Sequence, residues 1–548
     1  MTKFDKVEIF KNVGSSWLAL GLSILVGIFL SPYILHRLGD AAFGLWVLVF
    51  SITGYYGLFD LGIRSSIIRY VAKYSANDEH DELNRLVNTA LFSYSAIGSV
   101  TMLLTFVASS YVDSIFRIPL NFRATAHLLL IMAGSAVSLG FPLGVFGGIL
   151  EGLQRFYLLN FTNVCSTLLR ALLIVIALRH GSGLLTVALI TVTLPLLAGL
   201  INAAIVFCIL PLHFHPKYLN RGSLRRIASY SGPTFMIIVA SRLRFKTDAM
   251  VIGTFVSSVA ITYFAIGSRL VDYVGEVVSS LAQIFIPMSS RSDAMGDSEQ
   301  LKRIFIAGNR ACALIVFPIT ASLIILGKSV IEIWVGARYI ATSYPVLLIL
   351  LIPTATMLAQ SACGRVLFGM AKHRTLAMAI LLEGIANLIL SIFLVRRFGI
   401  LGDAAGTAIP LLCTTLFFLP RHICRVLGVR VWTYLREAFL LPLGLCVPLV
   451  AVLLFVRDRF GAHTYVQLAS QILICSAVYG MGLLWALRTH RLWQIRGLYN
   501  KDGSGEGVVP LIETYQEQKG LGKEIEVIEV ARFPISAGNE NLGEDEAR

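Results

Sequence analysis

The sequence predicts an all-α polytopic membrane protein with about fourteen transmembrane helices. They form two pseudo-symmetric six-helix lobes around a central cavity, plus two further helices. Three observations predict this fold class. Of the 548 residues, 56% are hydrophobic and only 14% are charged, whereas soluble domains carry about 25% charged residues. Apolar runs of about 17–25 residues, the length that spans a bilayer, recur along the chain. The chain also repeats itself with an offset of about 218 residues.

The apolar runs give the order of the predicted helices. Each run is long enough to cross the hydrocarbon core of a bilayer as an α-helix. The predicted spans are 15–35, 41–63, 87–111, 127–150, 157–178, 184–210, 232–256, 259–286, 304–327, 344–369, 376–397, 399–420, 438–457 and 465–488.

The internal repeat is carried by glycines that stand at corresponding helix ends. They pair at separations of 217 or 218 residues: Gly14 with Gly232, Gly152 with Gly369, and Gly181 with Gly399. Because six helices per repeat is an even number, both halves begin on the same side of the membrane, related by an axis along its normal. The last two helices lie outside the duplication.

The repeat and the composition together predict six segments. They are a lead-in at 1–14, an N-terminal six-helix lobe at 15–213, a basic linker at 214–231, a C-terminal six-helix lobe at 232–430, two additional helices at 431–490 and a flexible acidic tail at 491–548. The net charge of +14 is concentrated in alternate connections, and this positive-inside asymmetry predicts that both termini are cytoplasmic. The basic residues are dispersed, which argues against nucleic-acid binding.

The most informative segment is 240–255, an apolar stretch that carries four charged side chains. These are Arg242, Arg244, Lys246 and Asp248. All of them lie within about 6 Å of the midpoint of the predicted helix, where each charge costs roughly 2.5–3.5 kcal/mol in lipid. We therefore expect them to line a wet or protein-walled interior, as in a transporter.

The helical period sorts these charges into two faces. Arg242 and Lys246 share one face, and Arg244 and Asp248 share another. Arg244 and Asp248 can neutralise each other, whereas Arg242 and Lys246 have no carboxylate on their own face. These two cations are the strongest candidates for contact with a ligand.

Other charges in apolar runs extend the candidate site. Arg269, Asp272 and Glu276 recur at i, i+3 and i+7 on one face of the eighth helix and could supply partners for the cations of the seventh. The candidate anion ligands are Arg64, Arg170, Arg242, Arg244, Lys246 and Arg269. The candidate coupling-ion ligands are Asp60, Asp248, Asp272 and Glu276. Glu383 and Asp403 are isolated carboxylates, for which an ion site and a structural hydrogen bond both stay open.

An interior with surplus cations fits an anionic cargo. Arg and Lys bind phosphate through charge-assisted hydrogen bonds, and carboxylates beside them would allow proton or sodium coupling. The chain has no Walker A sequence, so ATP hydrolysis is not expected. Its eight cysteines show no C-x-x-C spacing, and neither a metal site nor another cofactor is predicted.

Four segments resemble a known family. They are Ser31–Trp46 (SPYILHRLGDAAFGLW), Tyr55–Arg64 (YYGLFDLGIR), Lys246–Phe255 and Ala260–Gly267. They are similar to signatures of the polysaccharide transporters, the O-antigen and exopolysaccharide flippases of the multidrug/oligosaccharidyl-lipid/polysaccharide exporter superfamily. The resemblance extends over about residues 10–490, and its motifs are convincing only as a set.

The resemblance implies a fourteen-helix fold and transfer of undecaprenyl-pyrophosphate-linked oligosaccharides across the bacterial inner membrane. The cationic cavity would then receive pyrophosphate or acidic sugars, and the partners would be the lipid-linked substrate, membrane lipids, a polysaccharide polymerase and chain-length proteins. A peptidoglycan-precursor flippase or a cation-coupled drug exporter of the same superfamily is the nearest alternative. A membrane polymerase or glycosyltransferase is a more distant one, because the connections on the outer side are short. The expectation is a transporter and not an enzyme.

Overall fold

The computed structural model describes residues 6–213, 218, 222, 238–239, 241–244 and 246–489, and these residues contain no β-strand. The N-terminal lobe consists of α1 (Lys6–Leu38), α2 (Asp40–Gly54), α3 (Ile63–Ala76), α4 (His80–Ile115), α5 (Arg123–Gly152), α6 (Phe156–Arg179) and α7 (Leu184–Ile209). The C-terminal lobe consists of α8 (Asp248–Phe255), α9 (Ser258–Ala282), α10 (Phe285–Ala294), α11 (Ser298–Val335), α12 (Ile340–Ala359), α13 (Ser361–Gly369), α14 (Arg374–Cys413) and α15 (Leu419–Leu427). Two further helices follow, α16 (Val431–Phe460) and α17 (Tyr465–Arg488).

The predicted all-α polytopic fold class is confirmed. Twelve helices among the described residues are long and apolar enough to cross a membrane. The predicted count of fourteen stays a prediction, since residues 232–237, 240 and 245 of the predicted seventh helix lie outside the described residues. Most of the predicted linker 214–231 and the whole predicted tail 491–548 also lie outside them.

The eleventh and twelfth predicted helices correspond to one long helical segment, which runs through α14 and α15. Gly399 interrupts it with φ +57° and ψ −138°, outside the helical region. Gly402 packs against the Leu394 carbonyl and Gly406 against Ser391, so closely that neither has room for a Cβ atom. Such paired contacts on either side of Gly399 show that the chain reverses there. The two predicted helices are thus an antiparallel hairpin.

The second predicted helix, 41–63, ends earlier than expected. α2 stops at Gly54, a 3₁₀ turn follows over Tyr55–Asp60, and Leu61 and Gly62 take left-handed backbone angles before α3 begins. Glycine adopts such angles without steric cost, which explains why the chain can turn at this point. Arg64 therefore stands at the start of a separate helix rather than at the end of helix two.

The internal repeat is visible in the packing. A Cβ atom on Gly152 would lie 2.8 Å from the Val71 Cβ of α3, and one on Gly369 would lie 2.7 Å from the Ser289 Cβ of α10. Val71 and Ser289 are 218 positions apart, the same offset that the sequence predicts. Each lobe thus packs a short helix, α3 or α10, against a glycine in the same way.

The hydrophobic cores show how the lobes meet. One large core draws residues from both lobes, with Leu45 of α2 and Ile261 of α9 among its fully buried members. A second core around Ile67 belongs to the N-terminal lobe alone, and a third around Phe305 belongs to the C-terminal lobe and α16. We call the end with the shared core the joined end and the end with the separate cores the basic end.

A buried charge attaches the last two helices to the C-terminal lobe. Arg310 of α11 is 4% exposed, and its guanidinium donates to the Glu437 carbonyl oxygen of α16 at 2.8 Å and 2.5 Å. The Tyr479 hydroxyl of α17 donates to the Leu314 carbonyl at 2.9 Å. These bonds fix both helices against α11, because an unpaired polar group is costly in this apolar setting.

Candidate functional site

A cavity of about 700 Å³ lies inside the N-terminal lobe, between α1, α2, α3, α5, α6 and α7. We call it the N-lobe cavity. Small residues such as Gly144 and Gly147 line α5 on this side and leave the space that larger side chains would fill. The polar side chains that line it are Ser23, Thr53, Arg64, Asn163, Ser166, Thr167, Arg170, Thr191 and Asn202. Two guanidinium groups and seven hydroxyl or amide groups thus meet in one cavity.

Arg64 is one of the two cations of the N-lobe cavity and has a carboxylate partner. Its Nη2 atom donates to the Glu151 Oε1 atom at 2.7 Å, while 42% of the side chain stays exposed. Nearby, the Tyr94 hydroxyl donates to the Asp60 carboxylate. The predicted coupling-ion candidate Asp60 is thus held in a hydrogen bond within its own lobe.

Arg170 is the second cation and is placed differently. It lies on α6 in the apolar run that surrounds it in sequence, half-buried and facing the N-lobe cavity. No hydrogen bond or ion pair joins it to another residue in the described part of the chain. A partly buried guanidinium favours an anionic partner, and Arg170 therefore stays a candidate ligand for an anion in this cavity.

Arg244 has a different partner from the one expected. Its guanidinium donates to both carboxylate oxygens of Glu383 on α14, and both residues are buried. The expected neutralisation of Arg244 by Asp248 does not occur, since the Asp248 Oδ1 atom accepts from the Thr407 hydroxyl at 2.9 Å. Glu383, read from the sequence as isolated, is thus the buried counter-ion of the segment that precedes α8.

Replacing Glu383 with alanine is expected to destabilise the protein strongly. Breaking a buried ion pair by removing one partner costs about 3–5 kcal/mol, because the other charge stays buried alone. The measurement is the midpoint of thermal unfolding of the purified protein in detergent. Glu299→Ala is the control, because the ion pair of Glu299 with Lys302 lies at the surface and such pairs contribute about 0–1 kcal/mol. Equal midpoints for the two variants would contradict the structural role of Glu383.

A cluster of oxygen atoms surrounds Asp248 and Asp403 in the C-terminal lobe. The Thr407 hydroxyl lies 3.0 Å from the Asn387 Oδ1 atom, and the Ser391 hydroxyl also lies 3.0 Å from it. Asp403 is fully buried, and among the described residues neither of its carboxylate oxygens has a hydrogen-bond partner. We call these five residues the acidic cluster. A fully buried carboxylate near the half-buried Asp248 favours a bound positive charge, either a proton or a metal ion.

Arg269 pairs with the carboxylates of its own helix, whereas Asp272 and Glu276 were expected to supply partners for the cations of the predicted seventh helix. Its Nη1 atom lies 3.6 Å from Glu276 and 3.9 Å from Asp272, and the guanidinium stacks 4.6 Å from the Tyr273 ring centroid. Tyr273 in turn packs closely against Gly27 of α1. This group therefore lies on the C-terminal lobe where it faces α1.

Arg242 and Lys246 lie where the two lobes approach each other. A Cβ atom on Gly57 of the N-terminal lobe would lie 2.9 Å from the Arg242 Nη2 atom, and the Tyr55 hydroxyl lies 2.9 Å from the Thr247 hydroxyl. Lys246 is exposed. Neither cation has a carboxylate within 4 Å in the described part of the chain.

The structure thus divides the six predicted cations into three groups. Arg64 and Arg170 line the N-lobe cavity, while Arg242, Lys246 and Arg269 lie at the interface between the lobes. Arg244 is buried in an ion pair. The sequence did not indicate the N-lobe cavity itself, nor that Asp403 lies beside Asp248. For Asp403, the signal in the sequence was an aspartate inside an apolar run.

Two helical lobes related by an internal repeat, with cations in a cavity and at their interface, define a membrane transporter fold. The comparisons agree. The structure "Lipid II flippase MurJ, inward closed conformation" superimposes on this chain with a TM-score of 0.65 and 15% sequence identity. The alignment covers 87% of this chain and 99% of that chain. The structure of an inward-facing multidrug resistance MATE family transporter of the MOP superfamily superimposes with a TM-score of 0.65 and 13% identity. That alignment covers 75% of this chain and 95% of that chain.

The sequence comparisons identify the family. The model of the polysaccharide biosynthesis protein family matches residues 9–293, which is just over half of the chain, and the chain belongs to that family. It is also 22% identical over 438 residues to a Shigella flexneri protein named "Putative O-antigen transporter", covering 77% of this chain and 99% of that protein. The family predicted from the four sequence segments is confirmed.

Proposed function

We propose that this protein is a flippase that moves undecaprenyl-pyrophosphate-linked oligosaccharide repeat units across the bacterial inner membrane for surface polysaccharide biosynthesis. It works by alternating access between its two lobes, with both termini in the cytoplasm. The observation that carries the proposal is the N-lobe cavity, which combines two guanidinium groups with seven hydroxyl or amide groups. Membership of the polysaccharide biosynthesis family supports the same class of cargo.

The chemistry of the N-lobe cavity suits a saccharide that carries negative charge. Hydroxyl and amide side chains such as Asn163 and Thr167 both donate and accept hydrogen bonds, as sugar hydroxyls do. Arg170 supplies the charge-assisted bond to an anionic group. A cavity of about 700 Å³ falls within the usual range of about 300–1,000 Å³ for small-molecule sites, so it holds part of a repeat unit.

The interface cations suit the pyrophosphate of the lipid carrier. Arg242 and Lys246 lie between the lobes, and within the described residues neither has a carboxylate closer than 4 Å. A pyrophosphate carries several charged oxygens, which two adjacent cations bind better than one. In this arrangement the pyrophosphate lies at the lobe interface and the sugars extend toward Arg170. Arg244 and Arg269 hold their neighbours in place through their ion pairs.

A second function is supported by the acidic cluster, which we propose binds the coupling cation. Asp248, Asn387, Ser391, Asp403 and Thr407 place carboxylate, amide and hydroxyl oxygens together, the donor set that hard cations such as Na⁺ prefer. A proton bound to one of the two carboxylates would neutralise its negative charge in the same way. Among the described residues the two carboxylate oxygens of Asp403 have no hydrogen-bond partner, whereas Asp60 accepts from Tyr94, and Asp272 and Glu276 pair with Arg269. We therefore assign the coupling role to Asp403 together with its neighbour Asp248.

Replacing Asp403 with asparagine is expected to abolish cation coupling. The purified wild-type protein should unfold at a higher temperature when Na⁺ replaces a large organic cation, or when the pH is lowered if a proton is the ion. The variant should lose that response. Asp458→Asn is the control, because Asp458 is exposed and pairs with its neighbour Arg457. A variant that keeps the full ion-dependent shift would exclude the acidic cluster as the coupling site.

The alternatives differ in the charge of their cargo. An exporter of organic cations needs a carboxylate-rich cavity, and the N-lobe cavity is lined by cations instead. A peptidoglycan-precursor flippase carries the same pyrophosphate and is separated from the proposal by its sugar. A membrane polymerase would act on repeat units after their transfer across the membrane, and a glycosyltransferase before it. Neither enzyme would need a cavity that opens in turn to the two sides of the membrane.

The test is complementation of a strain that lacks this gene. Loss of the surface polysaccharide, with complete repeat units trapped on the inner leaflet and restored transfer on re-expression, would support the flippase. Repeat units that reach the outer leaflet but stay unpolymerised would show that the protein acts as an enzyme. Failure of cell-wall synthesis with normal surface polysaccharide would identify the peptidoglycan precursor as the cargo.

A further inference from the structure

The joined end holds a contact between the lobes that obeys the internal repeat. Gly44 of α2 packs against the Ser258 carbonyl of α9 with no room for a Cβ atom. In return, the Thr262 hydroxyl of α9 donates to the Asp40 carbonyl of α2 at 2.7 Å. Thr262 lies 218 positions after Gly44, and Ser258 lies 218 positions after Asp40. Each lobe therefore presents the same two positions to the other.

Reciprocal contacts of this kind mark a twofold axis. In an isologous interface, residue i contacts residue j and residue j contacts residue i of the other half. The pseudo-twofold axis of the two lobes thus passes through the crossing of α2 and α9. A rocking motion that opens the joined end has to separate these two helices first.

A polar cluster beside the crossing breaks the symmetry. The Asp40 Oδ1 atom accepts from the Arg338 Nη2 atom at 3.0 Å and from the Tyr339 hydroxyl at 2.5 Å. Arg338 also stacks 4.6 Å from the Tyr339 ring centroid. The repeat-related positions offer no second copy, because Leu120 stands where Arg338 would be and Ser258 where Asp40 would be. Among the described residues, the Asp40–Arg338 pair is thus the single ionic contact between the lobes at this crossing.

The exposure of this cluster suits a contact that breaks and re-forms. Tyr339 is fully buried, but the Arg338 side chain is 58% exposed and the Asp40 side chain 17% exposed. Charges that reach water can separate without being stranded in an apolar interior. Trp334 adds a further contact between the lobes, since its Nε1 atom donates to the Ile28 carbonyl of α1 at 2.6 Å.

We propose that Asp40, Arg338 and Tyr339 form a latch that keeps the joined end closed, and that Gly44 is the close-packing point on which closure depends. The latch opens when the basic end closes, and it sets the balance between the two states. This inference rests on the proposed alternating-access function for its role in transport, but the closure itself can be measured without any cargo.

The test follows the accessibility of one position at the crossing. Ser258 is 1% exposed, and Ser258→Cys changes its size little. The exposed native cysteines, Cys165, Cys208 and Cys413, are first replaced by serine. The full-length protein is reconstituted in liposomes and labelled with a membrane-impermeant maleimide. The protein that keeps Ser258 gives the background, and the protein that carries Ser258→Cys alone is the parent for every further variant.

Opening the latch is expected to raise the labelling rate. Asp40→Asn and Arg338→Gln should each raise it about tenfold, the effect of losing one charge-assisted hydrogen bond. The charge exchange Asp40→Arg with Arg338→Asp should restore the slow rate. Gly44→Ala should hold the joined end open, whereas Gly54→Ala in the same helix meets nothing within 4 Å and should label like the parent.

The outcomes separate the latch from the proposed function. Labelling rates that stay at the parent value in Asp40→Asn and Gly44→Ala would overturn the latch. The same would follow if Arg85→Gln, which breaks the surface pair of Arg85 with Glu82 within α4, raised labelling equally. Faster labelling in a protein that moves no lipid-linked saccharide would keep the latch and reject the flippase.

Discussion

Replacing Arg170 with alanine is expected to lower the transfer of lipid-linked saccharide about 10- to 150-fold. The range corresponds to the roughly 1.5–3 kcal/mol of a hydrogen bond to a charged group. The physical reason is that Arg170 faces the N-lobe cavity and, within the described residues, has no anion of its own. The measurement is the initial rate of transfer in proteoliposomes containing equal amounts of folded protein.

The matched control for this prediction lies on the same helix. Arg179 is the last residue of α6 and is exposed, so Arg179→Ala removes the same charge outside the N-lobe cavity. It should keep the wild-type rate. The proposal also predicts that Arg170→Lys recovers part of the rate, because the charge remains although the bidentate geometry is lost. An Arg170→Ala variant with normal transfer would remove this residue from the site.

The double substitution Arg242→Ala and Lys246→Ala is expected to have the largest effect, a loss of at least about 100-fold in the transfer rate. Two charge-assisted contacts to the pyrophosphate are removed together, each worth about 1.5–3 kcal/mol. The protein should stay folded and inserted, because neither cation has a carboxylate within 4 Å in the described part of the chain. Transfer and binding of a lipid pyrophosphate without sugars should both fall.

Arg291→Ala with Lys302→Ala provides the comparison for that variant. Both residues belong to the basic end of the C-terminal lobe, so the control removes two positive charges away from the interface. It tests whether net charge alone explains a loss. A well-expressed Arg242 and Lys246 double variant that transfers at the wild-type rate would contradict the placement of the pyrophosphate.

Much of the fold could be predicted because it depends on short-range patterns. A transmembrane helix is recognised from one apolar run, and the repeat from glycines at a constant offset. The common helix face of Arg269, Asp272 and Glu276 was predictable for the same reason, but the sequence analysis did not predict that they pair with one another. The break at Tyr55–Asp60 was missed, because a 3₁₀ turn inside an apolar run leaves no gap in hydrophobicity.

The candidate site depended on contacts that the sequence does not encode locally. Arg244 and Glu383 are 139 positions apart, so helical spacing suggested the nearer carboxylate, Asp248, as the partner. The proximity of Asp403 to Asp248 is likewise a contact between distant parts of the sequence. It arises because the chain reverses at Gly399 and the second half of α14 returns toward α8. Arg170 was singled out correctly as a charge deep in an apolar helix, but its cavity became visible only when six helices were assembled.

The most direct measurement of the central claim is the sidedness of a labelled undecaprenyl-pyrophosphate oligosaccharide in proteoliposomes. A membrane-impermeant glycan-modifying reagent reports the fraction on the outer leaflet over time. We predict that the wild-type protein makes the whole pool accessible, while the Arg242 and Lys246 double variant leaves the inner-leaflet fraction protected. Protection that persists with the wild-type protein, at the level of protein-free liposomes and under each imposed ion gradient, would contradict the flippase function.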